Sequence, residues 1–496
     1  MPMEPLESLT IFLGVCIICL VFFTWKRSLV GNGKLPPGPT PLPIIGNALQ
    51  LKTNHLDLTL HELSEKYGPV LTVYFGTERI VVLTGYDVIK EALIDRGDDF
   101  AARGSLPIFD NVNKGLGIIF SNGERWKQLR RFALTTLRNF GMGKKSIEER
   151  ISEEAWCLLE EFQSKKGKPF DPTFLLSCAL SNVICAIVFG TRYEYSNKKF
   201  LTMLRFMNDN VSILSSPWGQ LYNIFPSFMN SIPGPHQRFV ANNLATREFI
   251  LEEVKWHKAT LDPTAPRDFI DCFLIKMEQE KQNGASEFSI DNLIISTIDL
   301  FLAGTETTSS TLRYGLMILL KYPKVEAKVH EEIDRVIGRT RKPCMADRGQ
   351  MPYTEAVIHE IQRFISLAPL GVPRAVIKET PFRQYIIPKG TTIYPILTSV
   401  LHDSKEFPNP KEFDPQHFLH EDGTFRKSDF FLPFSAGKRI CIGEGLARME
   451  LFLFFTTILQ NYKLKPLVHP KDIDITPLFS SVGNIPRPYQ LCILSR

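Results

Sequence analysis

Phe434-Ser-Ala-Gly-Lys-Arg-Ile-Cys-Ile-Gly443 places a lone cysteine, Cys441, among glycines and bases, directly before an apolar run. Leu446, Met449, Phe452 and Leu453 in that run have helical spacing, so Cys441 is expected at a helix N-terminus. Orphan N–H groups and the helix dipole there favour a thiolate. Gly437 and Gly443 carry no Cβ, so the backbone can turn sharply and a large flat cofactor can approach it. Phe434 could wall the sulfur from water, and Arg439 could pair with an acid group of a ligand. On this stretch alone, a buried structural cysteine remains the competing reading.

Working outward, 496 residues with 44% hydrophobic and 22% charged content suit a large globular chain with a sizeable core. A net charge of +5 is too small at this length to argue for nucleic acid. The nine cysteines make no disulfide framework and show no Cys/His spacing typical of zinc. Cys178, Cys185 and Cys272 lie in apolar runs and read as small core hydrophobes, which fits a reducing compartment.

From the N-terminus, Leu9 to Trp25 is nearly continuous apolar sequence closed by Lys26 and Arg27. It reads as a membrane anchor (residues 1–27) with the bulk of the chain on the cytosolic side, because acids precede the run and bases follow it. A cleaved signal peptide fits less well, since the n-region is acidic. Leu35-Pro-Pro-Gly-Pro-Thr-Pro-Leu-Pro43 cannot be helical and predicts a semi-rigid stem (residues 28–45). Residues 46–496 then form one globular body. Val70–Phe75 and Arg79–Leu83 read as a β-hairpin across Gly76-Thr-Glu, and Thr391–Leu397 as a further strand. Tyr86 to about Gln350 is mainly helical, with breaks near Ser216–Pro235 and Leu261–Pro266. The fold class expected is mainly α with a smaller β-rich portion. A phosphate cradle is absent, and Gly443-Glu-Gly445 is a poor match to a dinucleotide fingerprint, so any nicotinamide cofactor must bind another chain.

Three other stretches carry chemistry. Ala303-Gly-Thr-Glu-Thr-Thr308 sets an acid, Glu306, beside an alcohol, Thr307, within the helical run Ile290–Tyr322. Such a pair can relay protons, and Gly304 would permit a kink, although a polar surface face reads similarly. Glu360-Ile-Gln-Arg363 pairs charges at i, i+3; most such pairs are exposed and contribute ~0–1 kcal/mol. Trp126-Lys-Gln-Leu-Arg130 puts an indole N–H and a guanidinium on one helix face, a pairing suited to a carboxylate.

Phe434, Gly437, Arg439, Cys441 and Gly443 resemble the haem-binding signature of the cytochrome P-450 family, whose fold is then expected here. The Leu-Pro-Pro-Gly-Pro stem, Phe140-Gly-Met-Gly-Lys-Lys145 and Ala303–Thr308 resemble the vertebrate microsomal family 2 group. The resemblance implies haem b bound axially by the Cys441 thiolate, which pushes electron density onto iron. It implies that Trp126, Arg130, Arg103, Arg374 and Arg439 hold haem propionates, that Thr307 steadies dioxygen and that Glu306 supplies protons. Ile119, Phe120, Ala303, Thr307, Val372 and Val482 would line an apolar substrate pocket. Glu360 and Arg363 would lock the core behind the haem with a later arginine, a position where this chain has His417 in Phe413-Asp-Pro-Gln-His-Phe418.

The implied activity is a monooxygenase inserting one oxygen atom into apolar small molecules: xenobiotics, steroids, or fatty acids such as arachidonate. Arg125, Lys127, Arg130, Arg131, Arg138, Lys144, Lys145 and Lys438 read either as a solvated face or as a dock for an acidic electron donor. The implied partners are NADPH–cytochrome P-450 reductase, with cytochrome b5 as a further candidate, at the endoplasmic reticulum membrane. A haem-thiolate isomerase acting on peroxides and a non-catalytic haem-binding protein are the rival readings. Asn210-Val-Ser212 matches a glycosylation acceptor that a cytosolic face would leave unused.

Overall fold

A 32-residue helix, Ile290–Lys321, forms the axis around which the other helices pack. At ~1.5 Å per residue it is about 48 Å long. Ser289 starts it by accepting the Asn292 N–H at 3.2 Å, and Pro323 follows its end. Ile294, Ile298, Phe301, Leu312, Leu316 and Leu319 are buried on several of its faces, as expected of a helix surrounded by protein. Its most extensive neighbour is Thr173–Val188, itself buried almost throughout. Gly304 permits that closeness, because a Cβ there would lie 2.4 Å from Ile184 Cδ1. The helix runs without a break through Gly304, and the small residue serves packing. Lys145–Ser164, Pro352–Ile365 and Glu444–Asn461 complete one large apolar core with these two.

This computed structural model describes residues 5–29, 35–140 and 145–496. The first four residues of the expected anchor, residues 30–34 of the stem, and Gly141 to Lys144 lie outside the described residues. The N-terminal helix spans Pro5–Leu29, and Ile11, Phe12, Ile17 and Ile18 on it are exposed. Among the described residues, no helix is long and apolar enough to cross a membrane.

Residues 35–39 do not stand free of the body. Thr72 donates its N–H to Pro37 O at 2.8 Å and its hydroxyl to Pro36 O at 2.9 Å. Gly38 makes that approach possible, since a Cβ would overlap Thr72 O. Prolines, which lack an N–H, thus cover the edge of the first strand.

The predicted hairpin forms from Val70–Phe75 and Glu78–Leu83, paired from Val70↔Leu83 to Phe75↔Glu78. It continues through Thr392–Pro395, Arg374–Ala375 and Ala102–Arg103 into a five-stranded sheet. The last strand interrupts a region expected to be helical, and two residues are too few to show an alternating pattern in sequence. Its register sets Arg103 opposite Arg374. A C-terminal pair, Tyr462–Pro466 with Leu491–Ser495, was not anticipated either. The expected break at Ser216–Pro235 contains two short helices, Pro217–Ile224 and Pro226–Met229. Both begin with proline at a position where its missing N–H costs nothing.

Candidate active site

A cavity of about 310 Å³ opens between the helix Ile290–Lys321 and the segment Pro433–Leu451. Cys441, Phe434 and Gly443 line one wall, and Ala303, Gly304 and Thr307 line another. Ala303, Thr307 and Cys441 are exposed to its lumen although protein surrounds them.

The cysteine segment is fixed by backbone geometry. Cys441 N–H donates to Phe434 O at 3.1 Å, closing the loop on itself. Gly437 has φ +72, and a Cβ there would lie 1.6 Å from Leu93 O. Only glycine fits both constraints. Gly437 thus shapes the loop from outside the cavity, whereas a Cβ on Gly443 would sit 3.9 Å from the Cys441 sulfur. The thiol itself departs from expectation. Burial raises its pKa, outweighing the Gly443 and Glu444 N–H groups and the Arg130 charge that favour the thiolate. The helix N-terminus is therefore insufficient; a bound cation at the sulfur would be needed to hold it deprotonated.

Four guanidinium groups gather at the same cavity: Arg103, Arg130, Arg374 and Arg439. Burial and the neighbouring cations pull Arg103 down to about 9 and Arg439 to about 8, and hold Arg374 well below its usual value. Asp299 is the acid that pulls the other way on Arg103 among the described residues. Such clustering is costly unless an anion with more than one charge joins it. Trp126 Nε1–H, also at the cavity, is buried with no partner among the described residues. An orphaned indole donor beside excess positive charge fits a carboxylate-bearing ligand.

The four arginines are not equivalent. Arg439 is committed to protein: it donates to Ala101 O at 2.8 Å, Ser121 O at 2.7 Å and Asn122 Oδ1 at 3.1 Å, and it stacks 3.8 Å from the Trp126 ring centroid. Its expected pairing with a ligand acid is thereby the weakest of the four. Arg103 holds Ile119 O at 2.9 Å and Val372 O at 3.2 Å, Arg374 reaches Ser435 Oγ at 3.2 Å, and Arg130 donates to Ile440 O. Each of these has donors to spare in its five N–H groups.

On the opposite wall, Thr307 Oγ1 donates to Ala303 O at 2.7 Å. Glu306, one residue earlier, turns away. Its carboxyl lines a second cavity of about 420 Å³ with Ser310, Arg313, Asn208 and Ser212. Burial raises its pKa to about 7, against the lowering pull of Arg313, and Oε1 has no partner among the described residues. The expected acid–alcohol neighbours thus face different cavities, as adjacent residues about 100° apart on a helix must.

Of the expected pocket residues, Ile119, Ala303 and Val372 line the first cavity. Phe120 and Val482 are not brought there. They pack in a neighbouring apolar cluster, where Phe120 stacks on Phe109 with centroids 4.8 Å apart. Glu360 and Arg363 are wholly buried and paired twice at 2.7 Å. Arg363 also donates to Leu401 O and Pro410 O at 3.0 Å, so this is a structural lock rather than an exposed pair.

The family's sequence model, cytochrome P450, matches residues 36–493. The chain belongs to the cytochrome P450 family. Among curated proteins, it is 58% identical to cytochrome P450 2C29 of Mus musculus over 98% of this chain and 99% of that one. It is 58% identical to cytochrome P450 2C8 of Homo sapiens (99% and 100%) and 57% identical to cytochrome P450 2H2 of Gallus gallus (100% of each). As a cytochrome P450 it is a monooxygenase that binds haem through a cysteine thiolate.

Two residues of this P450 escaped the sequence reading. Asp299 accepts the N–H groups of Ile118 and Ile119 at 2.7 and 3.0 Å, pinning the segment that walls the cavity. Glu450, fully buried at the same cavity, has its pKa raised well above the usual range by burial, with Thr308 pulling the other way. Each is a lone acid in an apolar helical run, which was the available signal.

Proposed function

We propose that Cys441 is the axial thiolate ligand of haem iron, and that the enzyme inserts one atom of dioxygen into apolar small molecules. The observation that carries this reading is one cavity holding a single sulfur, Cys441, with four arginines and the unpartnered Trp126 N–H. Bound there, haem would supply dioxygen activation and the oxidising power for the substrate. The protein's own contribution is position and proton supply. Arg103, Arg130, Arg374 and Trp126 would hold the propionates, with Arg439 bracing the indole from behind. Phe434 would shield the sulfur. Thr307 offers a hydroxyl on the far wall, and Glu306, neutral below about pH 7, is the proton store behind it. For a proton to pass between them, a side-chain rotation or an intervening water must bridge the two faces.

Ile119, Ala303 and Val372 give the substrate end an apolar surface that selects by shape more than by hydrogen bonding. Xenobiotics, steroids and fatty acids such as arachidonate share that chemistry. Lys127, Arg131, Arg138 and Lys438 are exposed, which supports docking of an acidic electron donor, NADPH–cytochrome P450 reductase, with cytochrome b5 as a second partner. Exposed Ile44, Leu49, Leu221 and Phe228 support contact with the endoplasmic reticulum membrane beside an anchor at residues 1–27. In this arrangement residues 28–45 join anchor to catalytic body, residues 46–496.

The test is reconstitution with the reductase and NADPH across lipid and drug panels. Oxidised products that depend on NADPH support the reading. Haem binding without such products points to a non-catalytic haem protein, and peroxide rearrangement without reductase points to an isomerase.

A further inference from the structure

Arg448 lies one turn into the helix that begins at Glu444, three residues beyond Cys441. Nε and Nη2 donate to Glu444 Oε1 at 3.0 and 2.9 Å, and Nη1 contacts His359 Nε2 at 3.0 Å. The guanidinium carbon is 5.2 Å from the centroid of Phe434 and 5.5 Å from that of Phe431. Phe434 is the ring that lines the cavity beside Cys441.

The hydrogen bonds decide the charges. A guanidinium only donates, so His359 Nε2 accepts from Arg448. His359 Nδ1, 2.9 Å from Glu355 O, therefore carries the proton. His359 is a neutral imidazole in this network, and burial accordingly pulls its pKa down to about 4. The charges that act on the sulfur from this side are Glu444 and Arg130, and Arg448 acts through Glu444. Glu444 works against negative charge on Cys441, while Arg130 favours it. Arg448 neutralises Glu444 through two hydrogen bonds to one oxygen.

We propose that Arg448 is a tuning residue that sets how readily the Cys441-bound haem accepts its electron, by cancelling the Glu444 charge and facing the Phe434 ring. This inference rests on Cys441 as the ligand. One-electron reduction, by the redox partner or by a chemical reductant, adds one negative charge to the site. A nearby cation favours that step and an uncancelled carboxylate opposes it.

The experiment is a dye-equilibrated spectroelectrochemical titration of the full-length holoenzyme as wild type, Arg448→Gln, Glu444→Gln, the double variant and Arg448→Lys. The expected result for Arg448→Gln is a shift of the one-electron equilibrium about tenfold toward the oxidised form, about 59 mV. Glu444→Gln is expected to shift it the other way, and the double variant to return within about twofold of wild type. Arg448→Lys should recover most of the loss. If both single variants shift in the same direction, or neither moves beyond about twofold, the inference is overturned. Glu444→Gln carries the test alone if Arg448→Gln does not fold. Each protein is first checked for the red-shifted Soret band of its reduced carbon monoxide complex. Its absence in wild type would overturn the ligand reading, and the inference with it.

Discussion

His417 Nδ1 lies 3.1 Å from Glu360 Oε1 while its Nε2 lies 2.7 Å from Pro408 O. Both partners only accept, so both ring nitrogens must donate and His417 is an imidazolium. Burial alone would lower its pKa, but the hydrogen bond and charge of Glu360 overcome this and raise it. The histidine thus does, as a cation, what an arginine at that position would do.

Because its folded pKa is raised, His417 stabilises the fold fully below its unfolded value of about 6.5, and this contribution is lost as pH rises through the folded pKa. His417→Leu should cost about 1.5–3 kcal/mol near pH 6 and clearly less near pH 9. Denaturant melts of both proteins at the two pH values check this; an equal loss at both would contradict a charged histidine.

Glu306 should impose a pH dependence on coupling. As pH rises through about 7 its carboxyl loses the proton it would deliver, so NADPH consumed per product should rise. Glu306→Gln should flatten that dependence and slow turnover about tenfold to a hundredfold. Product and NADPH assayed together between about pH 6 and 8.5 provide the measurement.

Thr307→Ala should leave haem binding intact while more of the NADPH goes to peroxide. Full coupling in this variant would contradict its place on the proton path.

Gly437→Ala should be poorly tolerated. With φ +72 and a Cβ position 1.6 Å from Leu93 O, the loop must move, at a cost well above ~1 kcal/mol. Haem content of the purified protein, with thermal unfolding, reports it.

What the sequence made legible follows from the reach of each signal. The hairpin at Val70–Leu83, the long helix through Ala303 and the loop carrying Cys441 are local, marked by alternation, helical spacing and turn residues within one short stretch. The pairing of Arg103 with Arg374 is not local, since 271 positions separate two strands of two residues each. That register adds Arg103 and Arg374 to the two arginines, Arg130 and Arg439, that local stretches bring to the cavity. Phe120 and Val482 lie in an adjoining cluster instead of on the first cavity, and an apolar side chain in sequence does not say which of two neighbouring clusters it joins. Glu306 and Thr307 read as partners because they are neighbours along the chain, yet on a helix neighbours face apart. Polar groups whose partner is a distant backbone, such as Asp299 with Ile118 and Ile119, leave almost no trace in sequence.

Trp126→Phe removes the unpartnered indole donor while keeping the ring under Arg439, and is expected to weaken haem retention by about 1–3 kcal/mol. Haem transfer to a scavenging apoprotein measures that loss.

The central claim is that Cys441 binds haem iron as a thiolate. It is tested most directly by the absorption spectrum of the reduced, carbon monoxide-bound protein, compared with that of Cys441→Ala. A thiolate-type, red-shifted Soret band in the wild type that disappears in Cys441→Ala is the predicted result. Persistence of that band in the variant would contradict the account.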